Sequence, residues 1–132
     1  MKNSGFTLIE LLGVIAILGL LGVIIVPRIG AVISKNKQTL YETQIRNIKE
    51  AASNYISENI FKIEIQNNTS VGIKLGELKK CGYIDSNISN PLNSQQFSDD
   101  MIILITNKNN SYSYDVCLDD DCNNVSSFLS CN

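Results

Sequence analysis

Between Phe6 and Val26 the chain reads FTLIELLGVIAILGLLGVIIV, a run of 21 residues in which only Thr7 and Glu10 carry polar side chains. About 20 consecutive apolar residues are what a helix needs to cross a hydrocarbon core of about 30 Å. The rest of the chain is polar and rich in Asn, Ser, Asp and Lys, so one polypeptide is divided between two solvents. A cleaved secretory signal would have a shorter apolar stretch, about 7 to 15 residues, followed by a small-residue cleavage site. Here the run passes straight into Pro27 and Arg28, and the leader MKNSG is too short for an ordinary charged n-region. The expectation is a retained single-span membrane helix over residues 6–26.

Charge and composition then narrow the chemistry. The 132 residues hold 11 basic and 13 acidic side chains, a formal charge of -2, with no block of Lys or Arg, so nothing supports a nucleic-acid site. The absence of His removes histidine bases, Ser-His and Cys-His pairs and His-containing metal sites, and the expectation is a protein with no catalytic role and no cofactor. Orientation is set by two opposing signals. Lys2 precedes the span while Arg28, Lys35 and Lys37 follow it, which leaves the positive-charge rule undecided or reversed. Four cysteines without a CxxC pair argue that the C-terminal part faces the oxidising exterior.

Glu10 is the residue that asks for an explanation. A carboxylate within a membrane helix costs about 2.5 to 3.5 kcal/mol on insertion scales and by default marks function. On a lone helix it would reach up to the interface. Its neighbours Gly5, Phe6, Thr7, Leu8 and Ile9 suggest more. The stretch GFTLIELLGVIAILGLLGVIIVP resembles the N-terminus of type IV pilins and of the related pseudopilins of type II secretion and competence systems. The resemblance implies cleavage between Gly5 and Phe6 by a prepilin peptidase, which also methylates the new amine of Phe6. It implies, too, that Glu10 of an incoming subunit neutralises the Phe6 amine of a neighbour. A buried carboxylate is tolerable when paired with a buried cation. Spacing alone would also allow the pair within one helix, since Glu10 is four residues from Phe6. Gly13, Gly19 and Gly22 fit either the ordinary glycine content of membrane helices or close helix packing. Gly19 and Pro27 bracket a stretch resembling the one that loses helical structure in filaments of the family, and Pro27 on its own predicts a kink.

Beyond Pro27 apolar residues recur in steps of three and four: Ile29, Val32, Ile33, Leu40, Tyr41, Ile45, Ile48, Ala51, Ala52, Tyr55, Ile56 and Ile60. This predicts an amphipathic extension over 27–60, continuous with the span: one helix from Phe6 to about Ile60, about 80 Å long at 1.5 Å per residue. Its inner stripe would carry a small head, residues 61–132. The Asn-rich segment from Phe61 to Gly76 reads as a loop, and Leu75 to Lys80 as a helical turn stopped at Gly82, with a turn at Asn90-Pro91. MIILIT from Met101, SYSYDVCL from Ser111 and VSSFLSC from Val125 read as three strands of an antiparallel sheet lying on the helix. The fold class is α+β, a long helical spine with a small sheet head.

Cys81, Cys117, Cys122 and Cys131 permit three pairings. Disulfides are expected rather than zinc, because only Cys117 and Cys122 are close and a core this small needs staples. Joining Cys81 to Cys117 or Cys131 removes the most chain entropy. The pilin resemblance points instead to a C-terminal region closed by Cys117–Cys131 or Cys122–Cys131. Asp119, Asp120 and Asp121 read as a solvated acidic tip, with calcium as the weaker alternative because it needs six to eight oxygens. Asn-x-Ser/Thr triplets such as Asn68-Thr69-Ser70 are expected by chance in so Asn-rich a chain.

The implied whole is a pilus subunit, held in the bacterial cytoplasmic membrane as a precursor with a 1–5 leader. Its partners would be the prepilin peptidase, the assembly-platform membrane protein and other pilin subunits in a surface filament. The alternatives are a pseudopilin of a secretion or DNA-uptake system, and a monomeric single-span protein displaying a small binding head.

Overall fold

The computed structural model describes residues 5–118, 122 and 125–131, the side chains of 25–28 excepted. Two compact units divide the chain, Met1–Lys37 and Gln38–Asn132. The helix α1 runs Leu8–Asn59, 52 residues, close to the expected span. It starts two residues after Phe6 because Thr7 takes the capping position. At its far end the N–H groups of Lys62 and Ile63 both close on the Asn59 carbonyl, at 2.8 and 3.1 Å.

Within the first unit every large apolar side chain from Leu8 to Ile24 is exposed. Among the described residues no single helix is long and apolar enough to cross a membrane. Leu8–Ile24 and Ile29–Asn59 together qualify by length and composition.

The second unit holds the hydrophobic core. Six elements follow α1's last turns: β1 Ser70–Lys74, α2 Leu75–Lys80, the short strands β2 Ser89–Asn90 and β3 Gln95–Gln96, then β4 Ile102–Lys108 and β5 Ser111–Val116. A final two-residue strand, β6, is Phe128–Leu129. The main sheet has the order β5-β4-β1-β6. β4 and β5 pair antiparallel from Ile103↔Val116 to Lys108↔Ser111. Ser70 faces Thr106 and Lys74 faces Ile102 in the antiparallel β1–β4 ladder.

Two sequence expectations need correction here. The segment read as a loop contains β1, which lies between β4 and β6. It is short, and its three central residues, Val71, Gly72 and Ile73, are all buried, so it shows no polar alternation to betray a strand. The sheet is also mixed rather than purely antiparallel, since β6 runs parallel to β1 with Gly72 opposite Phe128. Gly72 makes this possible. A Cβ there would stand 3.0 Å from the Phe128 ring and 3.1 Å from Val125.

The third correction concerns the amphipathic stripe. Ile48, Ala51, Ala52, Tyr55 and Ile56 are buried against Val71, Ile73, Leu75, Leu78, Ile103 and Ile105, and Tyr41 and Ile45 pack at the margin. Ile29, Val32, Ile33 and Leu40 are exposed. The sheet is about 20 Å across in either direction, from strands of up to 7 residues at ~3.3 Å and four strands at ~4.8 Å. That matches only about 14 residues of helix.

Other parts match the sequence reading. α2 occupies Leu75–Lys80 and ends with Gly82 at φ +77°, its N–H bonded to Lys79 O and that of Tyr83 to Leu78 O, a glycine-terminated cap. The Asn90-Pro91 turn joins β2 and β3.

Candidate processing and assembly site

Gly5, Phe6 and Thr7 precede the helix, and Gly5 and Phe6 are exposed, so the Gly5–Phe6 bond lies in accessible, non-helical chain of the kind a peptidase can enter. Immediately after it the chain is ordered by a reciprocal pair. The Thr7 N–H donates to Glu10 Oε2 at 2.9 Å, and the Thr7 hydroxyl donates to the same oxygen at 2.8 Å. The Glu10 N–H reaches back to Thr7 Oγ1 at 3.4 Å. This is a capping box: two orphan donors of a helix start are satisfied, and a carboxylate sits at the positive end of the helix dipole.

The capping box has a chemical consequence for Glu10. Both Thr7 bonds use Oε2, and no hydrogen bond is made to Oε1 among the described residues. The donors are the Thr7 amide and hydroxyl, neither of which is lost if the chain is cut before Phe6. Glu10 can therefore stay oriented while offering a second oxygen to a cation. The sequence signal for this box is the pattern T-x-x-E, Thr7 to Glu10, at the head of the apolar run.

Gly19 lies within α1 with open space where a Cβ would be, and Pro27 lies within the same helix. The cysteines form Cys81–Cys131 and Cys117–Cys122, with Cα separations of 6.1 and 6.2 Å. Neither pairing suggested by the pilin resemblance, Cys117–Cys131 or Cys122–Cys131, is present. Cys81 pairs with Cys131 rather than Cys117 because β5 and β6 lie at opposite edges of the sheet, and α2 follows β1, the neighbour of β6. The C-terminal strand is clasped further by the Cys131 N–H donating to Glu77 Oε2 at 2.8 Å and the Tyr55 hydroxyl donating to the Ser130 carbonyl at 3.2 Å. Asp119, Asp120 and Asp121, the calcium candidates, lie outside the described residues. Among the described residues no group of three or more His, Cys, Asp or Glu is placed to hold a metal.

A depression of about 430 Å³ at the end of α1 is lined by Tyr55, Asn59, Lys62, Tyr83, Ser130 and Cys131, among others. Its polar groups largely bind one another. Tyr83 donates to Glu58 Oε2 at 2.7 Å and accepts from Asn59 Nδ2 at 3.4 Å, and its ring meets Tyr55 edge-on at 5.4 Å. The bond to Glu58 pushes the Tyr83 hydroxyl above its usual value, and burial does the same for Tyr55. This arrangement knits the helix end to the head.

Residues 1–26 match the prokaryotic N-terminal methylation motif. The chain carries the class III signal of type IV pilins and pseudopilins. The motif supports a pilin-like or pseudopilin-like precursor, of the kind processed by prepilin peptidase and assembled with other such subunits. No curated protein and no solved structure matches the chain. The match ends at Val26, where the apolar run ends.

Proposed function

We propose that this chain is a structural subunit of a type IV pilus. The precursor is held in the cytoplasmic membrane by residues 6–26 with its C-terminal part outside. Prepilin peptidase cuts between Gly5 and Phe6 and methylates the Phe6 amine. The assembly platform then passes the subunit into a filament. The observation that carries this reading is the pair Thr7–Glu10 beside an accessible Gly5–Phe6 bond, within the methylation motif. Glu10 Oε1 accepts the Phe6 amine of a neighbouring copy, which neutralises a charge that is otherwise costly in lipid and sets the axial register. Gly19 and Pro27 weaken the helix between them, so that this stretch unwinds on entering the fibre.

Mass spectrometry of sheared surface fibres tests the proposal. An abundant subunit whose first residue is methylated Phe6 supports it. A mature protein that retains MKNSG and stays monomeric in the membrane defeats it.

A further inference from the structure

The exposed row Ile29, Val32, Ile33 and Leu40 has no cover in either of the two environments assigned to the chain. Their exposures are 48, 56, 51 and 54 %. All lie past Val26, and Leu40 is 14 residues beyond it, about 21 Å along a helix and outside the hydrocarbon. Counted at 3.6 residues per turn, positions 29, 33 and 40 fall in one row and positions 41, 45, 48 and 52 in another. Tyr41, Ile45, Ile48 and Ala52 of the second row belong to the head's core and its margin, and the first row joins it only at Ala51, five turns past Ile33.

Charge identifies what suits the first row. Between Glu10 and Glu42 the sequence holds Arg28, Lys35 and Lys37 and no acidic residue, a local charge of +3. Lys35 and Lys37 are exposed. Residues 61–132 carry five basic and nine acidic side chains, a charge of -4. Two such helix segments side by side would repel, whereas helix segment against head is attractive, and like-charge juxtaposition selects against the wrong partner. Contact between two different patches of identical chains propagates as an open helix wherever its rotation does not close a ring.

We propose that the α1 segment 29–40 is a docking surface for the acidic head, residues 61–132, of a second copy of this chain. Ile29, Val32, Ile33 and Leu40 bury against that head, and Lys35 and Lys37 steer it. The inference rests on the filament reading and adds which surfaces meet outside the membrane.

The test places a photo-reactive phenylalanine analogue at Ile33 or Leu40 of the full chain, in cells that assemble fibres from it. Sheared fibres are irradiated and the cross-linked peptides mapped. The expected product has twice the subunit mass, with the second peptide drawn from 61–132. In parallel, the double variant Lys35→Glu, Lys37→Glu is expected to lower fibre yield at least tenfold at unchanged levels of cleaved subunit. Cross-links into residues 8–40 of another copy, cross-links to lipid alone, or an undiminished fibre yield would overturn the docking surface while leaving the filament reading intact. Failure of the unaltered chain to form fibres would overturn both.

Discussion

Glu10 and Thr7 act as one device. In an isolated subunit the carboxylate caps its own helix through one oxygen, and in the proposed filament it meets a neighbour's amine through the other. Glu10→Leu removes both uses and also the cost of placing a charge in lipid. The expected outcome is a subunit that inserts and is cleaved normally yet is absent from sheared fibres, read by immunoblot of membrane and fibre fractions. Normal fibre incorporation would show that Glu10 sets no register. Gly72 is the other decisive single residue, because β6 lies against it. Gly72→Val would drive a branched side chain into Phe128, Val125 and Ile102, whose atoms would stand 3.0 to 3.2 Å from the Cβ alone. A loss of about 1 to 3 kcal/mol is expected from such overpacking, measured by thermal unfolding of the head. The Glu10 anomaly was legible in the sequence because a charge in an apolar run stands out. Gly72 was not, because its neighbour Phe128 is 56 positions away and only pairing brings them together.

At the level of elements, the two disulfides differ in what they constrain. Cys81–Cys131 closes 50 residues and Cys117–Cys122 closes 5. Chain-entropy arguments give about 4 kcal/mol for the first and about 2 for the second. Cys81→Ser with Cys131→Ser should therefore lower the denaturant midpoint about twice as far as Cys117→Ser with Cys122→Ser. Equal shifts would mean that the clasp formed by Glu77 and Tyr55 on the last strand holds it without the covalent bond. The end of α1 should also show alkaline sensitivity. Tyr83 and Tyr55 titrate above their usual 10.0, the first through its bond to Glu58 and the second through burial. A group whose folded value is raised contributes fully below its unfolded value and loses that contribution as pH rises through the folded one. Stability should hold to about pH 10 and fall above it, and Tyr83→Phe should flatten that fall in melting curves taken across pH 9 to 11. The Lys74–Asp100 pair works at the acid end, where Asp100 is held below its usual 3.8 by the ammonium 2.8 Å away. Both partners are exposed, so its contribution, lost as pH drops below that value, is small.

For the whole molecule, every residue of the hydrophobic core lies within Gln38–Asn132. A fragment beginning at Gln38 should fold cooperatively, stay soluble and melt within a few degrees of the same unit in the full chain. A broad or non-cooperative transition would show that the missing helix contributes to the head's stability. The sequence by itself determined the long helix and the N-terminal motif: an apolar run, a glycine before a phenylalanine, a glutamate at the helix start and a helix carried on by three- and four-residue steps. These are local features, written in neighbouring residues and in a period of 3.6. The tertiary structure decided the central place of β1, the parallel pairing of β6, the cysteine partners and which helix residues join the core. Each of these depends on which distant segments meet, and a short buried strand such as Ser70–Lys74 shows no periodicity of its own to announce its partners. The exposed row from Ile29 to Leu40 belongs to both accounts: its spacing is plain in the sequence, and its exposure is seen only in the structure.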